Sequence, residues 1–129
     1  MLKKLALLLV VLMVIAFFPR SVDRVEPKIT VREWVVEDSK AYAQDVVLAW
    51  ADNQYLCLDK LWTRESNWRH EAYNKVKVMG KNAGGIPQIL GMPTQTPAPK
   101  QIDRGFKYIM HRYGTPCTAW KFHQKNGWY

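Results

Sequence analysis

The sequence predicts a small, mainly α domain whose helices are interrupted by a long irregular loop region. Three observations carry that expectation. Apolar residues recur at helical spacing in three separate stretches; Gly, Pro, Asn and Thr crowd residues 66–101; and a chain of 129 residues has room for one modest core.

The chain opens with "MLKK", then fourteen consecutive apolar residues from Leu5 to Phe18. That length suits the apolar centre of a signal peptide and is short for a membrane span. "VIA" offers small residues for cleavage but is followed by "FFPR", so residues 1–20 read as a signal peptide or an uncleaved membrane anchor. Residues 21–38 mix charge, β-branched residues and proline, the pattern of a linker before a domain over 39–129. Asp38 or Ser39 then offers an N-cap for a helix whose stripe is Ala43, Val46, Val47 and Trp50. A second helix follows from about Gln54 to Glu65. A third carries the stripe Ile102, Phe106, Ile109 and Tyr113 and stops at Gly114, ahead of Pro116. The aromatic tail "TPCTAWKFHQKNGWY" is expected to pack on these helices.

Charge and cysteines narrow the setting. The net charge of +8 is uneven, with twelve Lys or Arg against five acids in residues 48–129. Such a field favours a polyanion, and after export a cell wall or an anionic membrane is the polyanion met. Cys57 and Cys117 lack a C-x-x-C partner, and His70, His111 and His123 show no zinc spacing, so no metal and no cofactor is expected. The cysteines form either one disulfide or two buried thiols. Export favours the bond, which would close a loop worth up to roughly 4 kcal/mol.

No G-x-S-x-G, P-loop or dinucleotide fingerprint is present, and none of the three serines has a neighbouring histidine. What remains is one acid in "CLDKLWTRESNW". Glu65 follows Leu58, Leu61 and Trp62 on one helical face, close to the helix end, where burial and the macrodipole both favour a neutral carboxyl. Periodicity alone leaves two readings, a solvated residue at the helix border and a proton donor. A two-carboxylate glycosidase needs a second acid nearby; Asp52, Asp59 and Glu71 are the candidates, and none shares that face. Asp103 is expected on the exposed side of the third helix.

The ordered set "WTRESNW", "GGIPQ", "QIDRGFKYIMHRYGTPCTAW" and "GWY" resembles soluble lytic transglycosylase domains of the lysozyme-like superfamily, in particular small secreted actinobacterial and phage forms. The resemblance spans about residues 40–129. It implies a lysozyme-like helical fold with a groove for peptidoglycan glycan strands. Glu65 would be the catalytic acid/base and Ser66 would help position it. Gln88, Tyr108, Tyr113 and Trp120 would contact substrate. Two positions depart from the family pattern: Gly84 stands where an aromatic usually precedes "GIPQ", and Ala119, Trp120 and Lys121 stand where Ala-Tyr-Asn is common. The implied activity is cleavage between MurNAc and GlcNAc with formation of 1,6-anhydroMurNAc, by a monomer acting outside the cell and held at the membrane if residues 5–18 remain. The alternatives are a non-catalytic peptidoglycan-binding module, a hydrolytic muramidase, and a secreted nucleic-acid-binding protein that only charge and aromatics suggest.

Overall fold

The structure, a computed structural model, describes residues 32–50 and 53–129. The signal or anchor reading of residues 1–20, most of the expected linker, and Asp52 lie outside these residues. Among the described residues no helix is long and apolar enough to cross a membrane.

Four helices and a three-stranded sheet make up the domain. Helix α1, Val36–Val47, begins inside the stretch read as linker. Its cap also differs from expectation. Val35 takes the N-cap position, and Asp38, three residues on, accepts the Val35 backbone N–H through Oδ2 at 2.9 Å. Ser39 is instead buried and accepts the Trp34 indole N–H at 2.8 Å. Helix α2, Gln54–Ser66, ends at Asn67 and Trp68, both at positive φ. That turn sends the Trp68 ring back into the core, where its indole N–H donates to Asp59 Oδ1 at 2.8 Å.

The stretch expected to be irregular contains an antiparallel sheet in the order β1-β2-β3, formed by Tyr73–Val78, Lys81–Gly84 and Ile89–Leu90. Its hairpin turns on Met79 and Gly80, at φ 52° and 76°. A two-residue turn with positive φ at both positions matches the twist of the strands it joins. The pairing Val78 with Lys81 and Lys77 with Asn82 follows from that turn. The signal was the alternation Asn-Lys-Val-Lys-Val, obscured by its lack of an apolar face wide enough to look like core.

Helix α3, Ala98–Tyr113, starts one turn earlier than its apolar stripe. The extra turn carries Gln101, which is buried and accepts the Ile86 N–H at 2.8 Å while donating to the carbonyls of His70 and Thr96 at 2.9 and 2.7 Å. The aromatic tail is helix α4, Pro116–Asn126, capped by the Thr115 hydroxyl accepting from the Thr118 N–H. Cys57 and Cys117 are disulfide-bonded, sixty residues apart in sequence, and so join α2 to α4. The core centres on Trp62, edge-on to Trp68 and Phe106 at 5.2 and 5.5 Å between centroids. Gly105 lets α3 reach that ring, because a β-carbon there would overlap Trp62 and crowd Pro87.

Candidate active site

A cleft of about 750 Å³ opens beside the end of α2. Glu65 and the rings of Tyr108 and Tyr129 lie along one side, with Gln88, Val78 and Met79 among the residues that line the remainder. Glu65 owes its place to helical geometry: Leu58, Leu61 and Trp62 point into the core and bring the next residue of that face to the core's edge. Its side chain is 17% exposed. Burial pushes the Glu65 carboxyl up to about 7, so near neutral pH the group can hold a proton and also release it.

Glu65 has a partner that the sequence reading did not identify. His123 on α4 sets Nε2 3.0 Å from Glu65 Oε1 and is 14% exposed. Burial, and after it the Arg64 charge, push the imidazole below its ordinary value, so neutral acid and neutral imidazole are favoured together. The disulfide lies two helical turns before Glu65 on α2 and less than two before His123 on α4, and it holds the two helices that present the pair. In sequence the two residues are fifty-eight apart, and α4, which buries only Pro116 and Ala119, shows no apolar stripe that would have pointed to His123.

The other expected residues divide into three groups. Gln88 and Tyr108 line the cleft with Glu65. Gln88 sits at φ 50°, and its amide nitrogen donates to the carbonyls of Gly85 and Ala72 at 2.9 and 3.2 Å. Ser66 and Tyr113 lie behind the lining. The Ser66 hydroxyl is directed at the Ile86 carbonyl, 2.7 Å away, and ties the end of α2, next to Glu65, to the "GIPQ" loop; it is buried. The Tyr113 hydroxyl is enclosed without a hydrogen bond of regular geometry, and burial is the main cause that pushes it up to about 12.

Trp120 forms the third group and is not among the residues that line this cleft. It stacks on His123 at 5.6 Å and packs on the core instead of lining the cleft, because α4 turns His123, three residues on, toward Glu65. Gly84 is covered by Tyr73, its partner across β1 and β2, and by Met92, both in the space that a side chain at 84 would enter.

Tyr129 is a second residue that the sequence reading did not single out. Its hydroxyl accepts the Trp62 indole N–H at 3.0 Å and donates to the Pro87 carbonyl at 2.8 Å, fixing one ring as cleft wall between the core and the loop. Burial pushes this hydroxyl well above the usual tyrosine range, so it stays a neutral donor.

The described acids other than Glu65 that the sequence placed in this part of the chain, the candidate second carboxylates Asp59 and Glu71 and, beside them, Asp103, have partners of their own. Asp59 pairs with Lys40 at 3.0 Å as well as with Trp68, Glu71 lies 3.5 Å from His70 and is 62% exposed, and Asp103, half-buried and not freely exposed, accepts the Tyr42 hydroxyl at 3.0 Å. Among the described residues, Glu65 is the one carboxylate that lines the cleft. No protein family, curated protein or solved structure matches the chain.

Proposed function

We propose that the protein is a peptidoglycan lytic transglycosylase on a lysozyme-like fold, exported, monomeric, and acting through Glu65. The observation that carries this reading is a single half-neutral carboxyl in a cleft that offers it no second carboxylate among the described residues. Protonated Glu65 gives its proton to the oxygen between MurNAc and GlcNAc, and the bond from that oxygen to C1 breaks. The carboxylate left behind takes the proton of the MurNAc 6-hydroxyl, whose oxygen closes on C1. The acid is regenerated and the sugar ends as the 1,6-anhydro form. A retaining hydrolase would need a second carboxylate near the first, whereas this route draws its nucleophile from the substrate.

The basic charge of residues 48–129 suits an anionic wall and raises the encounter rate with it. One observation favours a second reading, a non-catalytic wall-binding module: Glu65 already has a polar partner, His123 Nε2 at 3.0 Å, as a structural carboxyl would. The mass spectrum of peptidoglycan digested in heavy-oxygen water separates the possibilities. Unlabelled 1,6-anhydro ends support the transglycosylase, labelled reducing ends show a muramidase, and intact wall shows a binding module.

A further inference from the structure

The cleft holds one charged residue besides Glu65. Arg112, on the last turn of α3, is the one cation lining it among the described residues, and it forms no ion pair with Glu65 or with any other described carboxylate. An unpaired arginine on a basic protein is ordinary when its side chain is free to move. Arg112 is instead held. Its guanidinium carbon stands 5.1 Å from the centre of the Trp128 ring, 5.6 Å from Tyr113 and 5.8 Å from Tyr108, and Nη1 donates to the Tyr108 hydroxyl at 2.8 Å. Three rings and one hydrogen bond orient this exposed guanidinium as a planar fork, whose remaining N–H groups meet no carboxylate among the described residues. That geometry matches the two oxygens of a carboxylate, and part of the side-chain entropy of capture is spent before the ligand arrives.

Charge complementarity points the same way. With Glu65 holding its proton, the cleft carries the positive charge of Arg112 alone, on a domain whose surface is itself basic. The aromatic groups beside the fork offer flat faces for sugar rings, so an acid and a sugar are recognised at adjacent points.

We propose that Arg112, framed by Tyr108, Tyr113 and Trp128, is a carboxylate-binding subsite that takes an acidic substituent of the glycan in the cleft. The subsite rests on the transglycosylase reading for the identity of the glycan, and it makes the substrate class narrower: a carboxylate-bearing glycan rather than a neutral chitin-like one. The carboxylate can come from the lactyl ether of a peptide-free MurNAc or from the peptide stem attached there, and the fork serves either.

Binding of four glycans of equal length to the Glu65→Gln protein, which cannot consume them, tests the subsite by calorimetry. The glycans are a GlcNAc oligomer, an alternating GlcNAc–MurNAc oligomer with free lactyl acids, the same oligomer with its acids converted to methylamides, and the stem-bearing oligomer. At least one acid-bearing glycan is expected to bind about tenfold more tightly than the neutral oligomer and the amide, and the one that does so names the source of the carboxylate. Adding Arg112→Gln removes that preference, and Arg112→Lys, which keeps the charge without the fork, restores part of it. Equal binding of acid and amide overturns the proposal without recourse to any Arg112 variant, as does a preference that survives Arg112→Gln. Digestion of wall by the wild-type protein is scored separately: an acid preference without lysis removes the transglycosylase and leaves the subsite, while lysis without an acid preference removes the subsite and leaves the enzyme.

Discussion

The helical wall of the cleft, where Glu65 on α2 faces His123 on α4, is backed by Leu58, Leu61 and Trp62, all fully buried, and by a covalent bond between the two helices. The opposite wall is the β1–β2 hairpin, in which all six residues of β1 are exposed and Met79 at the turn is 90% exposed. The acid thus stands on the more deeply packed of the two walls. The hairpin contributes Val78 and Met79 to the cleft lining yet buries almost nothing of its own. A proton donor must be held within a fraction of an ångström, whereas a wall that admits a polymer gains from being adjustable.

The sharpest way to break this contrast is to cut the bond. Removing it by Cys57→Ala with Cys117→Ala should cost about 4 kcal/mol in the chain-entropy model, seen as a lower denaturation midpoint, with a steeper slope as the freed unfolded chain expands. A loss within error would show that the helical wall stands without its clamp. Thiol labelling of the unreduced, denatured wild-type protein should find no free cysteine.

Glu65→Gln tests the other feature of that wall. Lysis should fall at least about a hundredfold while the far-ultraviolet spectrum stays native. The same variant reports on the proton. A folded carboxyl raised to about 7 from 4.5 binds its proton more tightly than in the unfolded chain, so its stabilisation is complete below pH 4.5 and is lost as pH rises to about 7. Glu65→Gln does not suffer that loss and should gain on the wild type by up to about 3 kcal/mol between pH 4 and pH 8. His123, pushed down by burial, works in the opposite direction as pH falls below its ordinary value. A constant difference across that range would mean that the carboxyl is not raised.

A smaller effect is expected where water is let in beside the acid. His123→Ala opens the buried side of Glu65, and because burial is what raises the carboxyl, the midpoint of lysis against rising pH should move below 7. An unmoved midpoint would assign the burial to other neighbours. The smallest change should come from the hairpin: Val76→Thr, at a residue 68% exposed, should alter unfolding free energy by less than about 0.5 kcal/mol. A larger loss would make the hairpin part of the core and end the contrast between the walls.

What could be read from the sequence follows the same division. The stripes of α1, α2 and α3 were legible because a buried helix must repeat its apolar residues every three to four positions, and the edge position of Glu65 came with them. The hairpin was not, since β1 buries no residue and its alternation of Lys with Val lay among loop-forming residues. Helix α4 was hidden by its composition: "PCTAWKFHQKN" buries only Pro116 and Ala119. His123 was therefore invisible as a partner, and Trp120, read from a family pattern, was assigned to the cleft when it supports His123 from behind. The fork at Arg112 could not have been seen at all, because Trp128 reaches it only through the fold.

The disulfide also has a consequence for how the domain opens. The ring it closes runs from Cys57 to Cys117 and contains the three strands and α3, while α1 lies outside it. Helix α1 is attached by few fully buried side chains, chiefly Ser39, Ala43 and Val47. It can therefore detach as a unit while the ring and the Glu65 pair stay closed, and amide hydrogens of Val36–Val47 should exchange with solvent sooner than those of α2 and α4, at a free energy below that of global unfolding.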